Sequence, residues 1–436
     1  MVDRWSEAAY SQHKSLDPVY EVWLKENFPR KAELISMEET WRSFSYHPLI
    51  SIVTPVYNPP ISFLRQAIES VINQVYPNWE LCLADDHSPD LHVREVLQEY
   101  VDKEPRIKCI FRKENGHISA CSNSALELAS GDFVALLDHD DLLTSDALYE
   151  VVRLLNQHPE ADIIYSDEDK IDDQGNLKDP FFKPDWSPDS LLSRMYTCHL
   201  GTYRRKLIDA VGGFRIGYEG SQDYDLMLRA SEKTEKIFHI PKILYHWRIH
   251  DLSASSGGDA KPYAFEAAIN ALNSALVRRE EAGHIKQVAA GLGAYTVRYQ
   301  VERESVSIIL LYTGLKGSLG LLKKTLEAIN LSSHQNFEVI VVDQNYWKDA
   351  DISIVHSQLP EQLNSKIHYL KVTPNTTAAS ALNQAAQMAQ SDYLLLLRDF
   401  VEPITGDWIE ALLEQAQRQS IGCSSGLLLS PSNSIW

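Results

Sequence analysis

The chain has 436 residues, a hydrophobic fraction of 44% and a formal net charge of −19 at pH 7. This length exceeds one ordinary domain and predicts two, and the hydrophobic fraction is sufficient for sizeable cores. A surface this acidic repels the phosphates of nucleic acids, so we expect no nucleic-acid partner.

The cysteines and the apolar stretches indicate the compartment. The five cysteines are scattered without a C-x-x-C pair, which argues against a disulfide framework and a structural zinc site and favours the reducing cytoplasm. No apolar run approaches the roughly 18 residues that a membrane helix needs. The first residues, "MVDRWSEAAY", lack the apolar segment of a secretory signal. We therefore expect a cytoplasmic protein whose contact with the inner face of a membrane is at most peripheral.

Residues 1–47 have a helical and aromatic-rich pattern. Asp17 and Pro18 predict an N-cap and a first helical position, and Ser36 with Glu39 predicts a second capping box. The apolar face of the first helix comprises Tyr20, Trp23, Leu24 and Phe28. We interpret this segment as a helical extension packed on the next domain rather than a membrane-surface helix.

Strand-like and helix-like stretches alternate from residue 49 onward. Examples in chain order are "LISIVTPVYN", "ISFLRQAIESVINQ", "WELCLADDHS", "REVLQEYVDK" and "FVALLDHDD". This alternation predicts an α/β fold with a doubly wound, mainly parallel sheet and a site beyond the carboxyl ends of its strands. The acidic stretches Asp85–Asp86 and Asp138–Asp141 follow such strands.

A second copy of the pattern begins near residue 305. "VSIILLYT", "FEVIVVDQN" and "SDYLLLLRDF" match "ISIVTPVY", "WELCLADDH" and "GDFVALLDHD" in order. Without gaps, Arg398 stands where Asp138 does and Phe400 where Asp140 does. We predict a helical extension at 1–47, a complete domain at 48–292 and a partial, degenerate repeat at 305–436.

The run "FVALLDHDDLL" combines a buried strand with a group of carboxylates. Two carboxylates in D-x-D spacing after a strand are suited to a hard divalent cation that substrate phosphates also bind. An EF-hand is excluded because Leu142 and Leu143 occupy positions that need a ligand and a glycine. Taken alone, the D-x-D pair is a weak signal, because acidic turns are common on solvated surfaces.

A series of motifs carries more information than any one of them. "TPVYN" at 54–58, "ADDHS" at 84–88, "LDHDD" at 137–141, "VGGFR" at 211–215, "GSQDYDLMLR" at 220–229 and "LYHWRIH" at 244–250 occur in this order. The series resembles the family 2 glycosyltransferases with the GT-A fold over about residues 48–290. "FFKPDWSPD" and "YHWR" resemble the bacterial branch that builds O-antigen and other cell-surface polysaccharides, often containing rhamnose.

The resemblance implies roles for individual residues. The nucleotide would be lined by Thr54, Pro55, Tyr57, Asp85, Asp86 and Asp138. The metal ligands would be Asp138, Asp140 and His246, with His250 as the alternative histidine. Asp223 would be the general base, with Gln222 beside it where the family more often has Glu.

The resemblance also implies the reaction. A metal-dependent transfer with inversion would move a sugar from a UDP- or dTDP-linked donor to a growing glycan, which can be lipid-linked. Mn²⁺ or Mg²⁺ would neutralise charge on the leaving diphosphate, and a carboxylate would take the proton of the acceptor hydroxyl.

Structural interpretations compete with several of these roles. Asp85 and Asp86 also suit a turn after a strand, and Asp225 also suits the polar side of a helix. The proposed sugar or acceptor contacts are Trp186, His199, Gln222, Arg248 and His250, and for Trp186, His199 and Arg248 a structural explanation is equally good.

Two other functions are alternatives to glycosyl transfer. The degenerate repeat suits a non-catalytic module that binds glycan or nucleotide sugar within a polysaccharide assembly. A glycoside hydrolase with paired carboxylates does not explain the motifs that resemble nucleotide-binding ones.

Overall fold

The computed structural model describes residues 14–249, 262–288, 293–301, 304–312, 318–343, 355, 357–373, 375–430, 432 and 434–435. The chain divides into two compact units, residues 1–297 and residues 298–436. Each unit has its own sheet and its own hydrophobic core.

Two short helices open the described part of the first unit. Helix α1 spans Pro18–Asn27, and the Asp17 side chain accepts hydrogen bonds from the backbone N–H groups of Val19 and Tyr20, which confirms the predicted cap. Helix α2 spans Lys31–Thr40. The capping box predicted at Ser36 is wrong, because Ser36 lies inside α2 and the Glu33 carboxylate instead accepts from the Arg30 N–H at the start of the helix.

The first unit is built on a mixed sheet of nine strands among the described residues, in the order β3-β2-β1-β4-β8-β6-β9-β5 with β7 beside β6. The strands are β1 (Ile50–Val56), β2 (Trp79–Asp85), β3 (Ile107–Phe111), β4 (Phe133–Leu136), β5 (Leu142–Leu143), β6 (Ile163–Ile171), β7 (Leu177–Phe181), β8 (Thr202–Arg204) and β9 (Ile237–Arg248).

Helices connect these strands. They are α3 (Ile61–Ile72), α4 (Leu91–Lys103), α5 (His117–Leu128), α6 (Ala147–Gln157), α7 (Pro188–Ser193), α8 (Arg205–Val211), α9 (Gln222–Ser231) and α10 (Pro262–Arg278). A separate two-stranded sheet of β10 (Gly283–Gln287) and β11 (Tyr295–Tyr299) follows.

The central strands are apolar on both faces because helices cover both sides of the sheet. Every residue of β2 is buried, and β1 is buried except at Pro55. Strands β1, β2, β3 and β4 pair in parallel, whereas β8 pairs antiparallel to β4 and β6. The predicted α/β class with a mainly parallel sheet is confirmed.

The strand order reverses at β1, which lies between β2 and β4. Adjacent helices leave a crevice at such a point, outside the carboxyl ends of the strands. The sequences after β1, β2 and β4 therefore meet at one edge of the sheet.

The second unit repeats the first four strands of this sheet. Its order β14-β13-β12-β15 corresponds to β3-β2-β1-β4. Its elements are β12 (Val306–Tyr312), α11 (Ser318–Asn330), β13 (Phe337–Asp343), α12 (Glu361–Asn364), β14 (Ile367–Lys371), α13 (Ala378–Met388), β15 (Tyr393–Arg398) and α14 (Trp408–Ala416).

None of the helices in the described part of the chain is both long enough and apolar enough to cross a membrane.

Candidate active site

A cavity opens at the carboxyl ends of β1 and β4, where the sheet order reverses. Pro55 from β1, Asp138 after β4, and Gln222 and Asp223 from α9 all line it. The other lining residues are Val53, Ile118, Ser122, Leu136, Leu137, Cys198, His199, Phe214 and Tyr245. The fold thus brings together five of the six motifs, which are far apart in the sequence.

The acidic loop Asp138–Asp141 is held by strand β9. The Tyr245 hydroxyl donates to Asp141 Oδ2 at 2.5 Å and accepts from the Asp138 N–H at 3.2 Å. The Arg248 N–H donates to Asp141 Oδ1 at 2.7 Å, and the Arg248 Nε–H donates to the Asp140 carbonyl oxygen at 2.7 Å. Asp141 is therefore a brace of the loop, and Arg248 is bound to the loop backbone.

Burial and the repulsion between neighbouring carboxylates raise the pKa values of Asp138 and Asp141. Burial is the main cause that raises the pKa of Asp138 and Asp141 above the ordinary aspartate value, and the charge of Asp140 raises both further. A cation in the cavity would lower these pKa values by favouring the ionised form.

Among the described residues, one group offers ligand atoms close enough together for a metal ion. Oxygens of Asp138 and Asp141 and a nitrogen of His199 all lie within 4.8 Å of one another. The His199 Nδ1 lies 3.2 Å from Glu168 Oε2, which is the way a carboxylate commonly orients a metal-binding histidine. The donor set of carboxylate oxygens and one imidazole suits a divalent cation such as Mn²⁺.

His199 is held by several neighbours at once. Its ring stacks on Tyr245 with centroids 4.2 Å apart, and Glu168 also accepts from the His199 N–H at 3.1 Å. Burial lowers the pKa of His199, but the charge of Glu168 and its hydrogen bond outweigh this and raise the pKa to about 9. Without a metal the ring is therefore a cation beside Asp138 and Asp141, and a metal would compete with its proton.

His246 occupies the other face of β9. Tyr245 lines the cavity, and neighbouring residues of a strand point to opposite faces. The His246 Nδ1 lies 2.5 Å from Asp169 Oδ1, and the ring stacks on Phe28 with centroids 5.8 Å apart. The group of ligand atoms around Asp138, Asp141 and His199 does not include His246, and His250 lies outside the described residues.

Asp223 lies in the first turn of α9 and faces the cavity. Burial raises its pKa, against the opposing effects of the Tyr224 N–H and the charge of His199. Asp225, two residues on, is fully buried between the guanidinium groups of Arg215 and Arg229. The structural interpretation of Asp225 is therefore correct, although as a buried ion pair and not as a polar helix face.

The residues predicted to line the nucleotide lie near the ends of β1 and β2. Asp86 is buried and accepts from the Arg112 Nε–H at 2.7 Å and from the Gly116 N–H at 3.0 Å. Asp85 accepts from the Ser88 N–H at 3.2 Å, as a turn-forming aspartate does. Thr54 is buried within β1, and Tyr57 is exposed beyond its end.

Trp186 lies outside the residues that line the cavity. Its ring stacks with Tyr196 at a centroid separation of 6.4 Å, and Tyr196 is buried. The described contacts of Trp186 thus fit its structural interpretation, and those of Arg248 do too, since its guanidinium also binds Gln66 and covers the Phe63 ring.

Sequence reasoning missed Arg112, Glu168 and Lys183. The Lys183 ammonium is buried, donates to Glu168 Oε2 at 2.7 Å and also donates to the Thr197 carbonyl oxygen at 2.9 Å. Burial raises the pKa of Glu168, but Lys183 and His199 outweigh this and lower it to about 2. The available signal was charge within or beside apolar stretches such as "IIYSDEDKI" and "IKCIFR", where a buried charged residue needs a partner.

Comparisons with known proteins identify relatives of this chain. It is 40% identical over 93% of its length to an uncharacterized protein of Sinorhizobium fredii, of which the match covers 45%. It is 34% identical over 95% of its length to an O-antigen biosynthesis protein of Myxococcus xanthus, covering 32% of that protein. A chondroitin synthase of Escherichia coli is 32% identical over 48% of the chain, covering 30% of that protein. The chain spans less than half the length of these relatives.

Solved structures show a more distant likeness. Residues 1–349 of S. aureus TarS in complex with UDP-GlcNAc match with a TM-score of 0.43 and 20% identity, covering 52% of this chain and 66% of that chain. A mannosyltransferase from Pyrobaculum calidifontis in complex with GDP-Man and Mn²⁺ matches with a TM-score of 0.38 and 16% identity, covering 57% and 84%. Scores of this size carry no conclusion about ligand or reaction.

The family model for glycosyl transferase family 2 matches residues 51–212 and 316–429, which is more than half of the chain. The first match includes most of the strands β1–β4, and the second includes β13, β14 and β15 of the corresponding four-stranded sheet. The chain belongs to glycosyl transferase family 2, and the family's domain occurs in it twice.

Proposed function

We propose that residues 48–292 form a metal-dependent, inverting glycosyltransferase domain that moves a sugar from a nucleotide diphosphate sugar to a growing glycan. The observation that carries this proposal is that Asp138, His199 and Asp223 line the same cavity, at the point where the strand order of the sheet reverses. In this view residues 1–47 are a helical extension of the domain, and residues 305–436 are a degenerate repeat.

The acidic loop would hold the metal. Asp138 and Asp140 are the proposed protein ligands, and Asp141 and His199 are close enough to Asp138 to take part. A bound Mn²⁺ or Mg²⁺ would supply charge neutralisation at the leaving diphosphate. The resemblance also implies His246, whose Nδ1 lies 2.5 Å from Asp169 Oδ1 much as the Nδ1 of His199 lies beside Glu168.

Asp223 would act as the general base. Its carboxylate lines the cavity and is partly buried, and its raised pKa makes it a better proton acceptor than an exposed aspartate. It would take the proton of the acceptor hydroxyl as the oxygen attacks the anomeric carbon and the bond to the diphosphate breaks. One separate carboxylate beside the metal pair implies direct displacement and therefore inversion.

The substrates follow from the family and its relatives. We propose a UDP- or dTDP-linked donor, with Thr54, Pro55, Tyr57, Asp85 and Asp86 near the nucleotide and Arg112 holding Asp86. We propose a cell-surface glycan as acceptor, lipid-linked or free, because a relative that aligns with most of the chain is an O-antigen biosynthesis protein. Such a reaction belongs in the cytoplasm or at the inner face of the membrane.

Calorimetric titration of the full chain with UDP, dTDP and GDP, each with and without Mn²⁺, tests this proposal. We expect one uridine or thymidine nucleotide to bind only with Mn²⁺ and the Asp140→Ala variant to lose that binding. Asp209→Ala is the matched control, since Asp209 is an exposed aspartate on α8 that pairs only with Arg205 among its described contacts. Absence of binding by the wild type, or binding that ignores both Mn²⁺ and Asp140, would contradict the proposal.

A second candidate function concerns residues 305–436. Arg398 and Phe400 replace the two carboxylates there, and the Arg398 guanidinium lies 5.6 Å from the centre of the Phe400 ring. This arrangement favours a non-catalytic glycan-binding or nucleotide-sugar-binding module. Retained binding of the nucleotide sugar by a variant that lacks Asp138 and Asp140 would support it.

A further inference from the structure

Helix α1, the first helix of the described chain, packs beside Leu142, the residue that follows the acidic loop. Tyr20 and Leu24 of α1 are buried in a cluster with Ile171, Leu177 and Ile243. Trp23, Phe28 and Leu142 pack against the same cluster, and Leu142 directly follows Asp141. A segment outside the family match at 51–212 thus contacts the strand that continues the acidic loop.

A buried polar relay lies at the centre of this contact. The Tyr20 hydroxyl donates to Asp169 Oδ2 at 2.5 Å, and Asp169 Oδ1 lies 2.5 Å from His246 Nδ1. Asp169 is 0% exposed and Tyr20 is 4% exposed. A buried carboxylate requires such partners, so removal of the tyrosine hydroxyl leaves one oxygen of Asp169 short of a donor.

The relay ends on the strand that braces the site. His246 is paired in the sheet with Leu142 on one side and Asp169 on the other. The residues before and after it in β9 include Tyr245 and Arg248, which bind Asp141 through the hydroxyl and the backbone N–H. Residues 245–248 of β9 therefore connect the relay with the acidic loop.

We propose that Tyr20 is a positioning residue: through Asp169 and His246, the N-terminal helix fixes Tyr245–Arg248 and so holds the loop Asp138–Asp141 in place for the cation and the donor. The ring of Phe28, stacked on His246, contributes to the same contact. The catalytic part of this inference rests on the proposed transferase function, but the mechanical connection does not.

The test uses the Tyr20→Phe variant of the full chain, which removes only the hydroxyl group. We expect hydrogen exchange of the backbone amides at residues 138–143 to accelerate in the metal-free protein. We also expect the Mn²⁺ concentration for half-maximal UDP binding to rise roughly tenfold, the low end of the loss seen when groups behind metal ligands are changed.

Tyr100→Phe is the matched control. The Tyr100 hydroxyl donates to Glu69 Oε1 at 2.8 Å between α4 and α3, so this variant also loses a tyrosine–carboxylate hydrogen bond within the first unit. We expect similar thermal midpoints for the two variants and no change at residues 138–143 in Tyr100→Phe. Equal exchange and equal Mn²⁺ dependence in both variants would overturn the inference.

Asp169→Asn provides a second variant with the shape of the side chain retained. If Tyr20 acts through Asp169, the double variant Tyr20→Phe/Asp169→Asn needs no more Mn²⁺ than the worse single variant, whereas additive losses would contradict the relay. If the wild type binds no UDP with Mn²⁺, the proposed function fails, and with it the statement that Tyr20 positions the loop for the cation and the donor. Unchanged exchange at 138–143, with normal wild-type binding, defeats the positioning inference alone.

Discussion

The two sheets of this chain share their amino-terminal edge and differ at their carboxyl-terminal edge. Ile50 of β1 pairs with Trp79 and Phe133, and Val306 of β12 pairs with Phe337 and Tyr393 in the same register. The order of the four strands is also the same. The repeat found in the sequence is therefore a repeat of strand pairing.

A hydrogen-bond network at the amino-terminal edge is present in both units. In the first, the Ser51 hydroxyl donates to Glu80 Oε1 at 2.6 Å, and the Ser130 N–H binds the same carboxylate. In the second, the Ser307 hydroxyl donates to Glu338 Oε1 at 2.5 Å, and the Gln390 N–H binds it at 2.8 Å. This network joins β1, β2 and the start of β4, or their counterparts.

The carboxyl-terminal edges differ in charge and in cover. Asp138 and Asp140 of the first unit correspond to Arg398 and Phe400 of the second. Val134 is fully buried beside β8, whereas Leu394 at the same position of β15 is 47% exposed. The comparison teaches that the pairing of this sheet is determined at one edge and its chemistry at the other, so a unit can keep the fold and lose the site.

Exchange of the loop residues tests this separation most severely. The variant Asp138→Arg/Asp140→Phe gives the first unit the residues of the second, and we expect no detectable Mn²⁺-dependent UDP binding, because the cation loses both carboxylates. The circular dichroism spectrum should stay that of the wild type. The reciprocal variant Arg398→Asp/Phe400→Asp should gain no activity; a gain there would show that the second unit already holds the rest of a site.

Removal of the proposed base should have the next largest effect. Asp223→Asn should lower kcat by roughly 10²- to 10⁴-fold, the usual contribution of general acid–base catalysis, with nucleotide binding retained. Steady-state kinetics with the donor, beside the control Asp209→Asn, check this expectation. Transfer at the wild-type rate would remove Asp223 from the mechanism.

The shared network should affect stability unequally in the two units. Glu80 binds the Lys108 ammonium at 2.6 Å, whereas His368 lies 3.6 Å from Glu338 and is half exposed. Glu80→Gln should cost roughly 1.5–3 kcal/mol in the free energy of unfolding at pH 7, and Glu338→Gln about 1 kcal/mol or less. Urea unfolding of both variants measures the difference; a larger loss for Glu338→Gln would contradict it.

The contribution of Glu80 should also depend on pH. Burial raises the pKa of Glu80, but Lys108 and Ser51 outweigh this and lower it to about 2 from the ordinary value of 4.5. Because the folded-state pKa is depressed, the stabilisation is present above about pH 4.5 and is lost as the pH falls toward 2. The gap in stability between wild type and Glu80→Gln should narrow over that window, and a constant gap would exclude the charged hydrogen bonds as its source.

The smallest expected effect is the change in stability when a side chain of β15 is truncated, compared with its counterpart in β4. Leu394→Ala should change stability by no more than about 0.5 kcal/mol because the side chain is already half in water. Val134→Ala should cost roughly 2 kcal/mol, since it removes two buried carbon groups and leaves a cavity. Thermal unfolding of the two variants compares them, and similar losses would mean that β15 is covered in solution.

Local patterns in the sequence predicted the elements, the repeat and much of the cavity. The Asp17 cap, the parallel strands and the convergence of Pro55, Asp138 and Asp223 follow from periodicity and from the motif series. The surroundings of His246 did not follow, because the pairing of β9 with β5 and β6 decides which face each residue occupies. A shift of one residue would reverse every assignment in that strand.

Long-range partners account for the rest. Glu168, Lys183 and His199 come together only when β6, the segment after β7 and the segment before β8 are folded, and no spacing in the sequence encodes that meeting. Arg248 was a candidate ligand-binding residue because arginine commonly binds phosphate. Its contacts with Asp140, Gln66 and Phe63 instead hold the acidic loop against its neighbours.

Anomalous diffraction at the manganese edge, from crystals grown with Mn²⁺ and UDP, tests the difference between the two units most directly. We predict a manganese peak beside Asp138 at the carboxyl ends of β1 and β4, and no peak at Arg398 in the second unit. A peak at Arg398, or bound UDP in the first unit without manganese beside Asp138, would contradict the account.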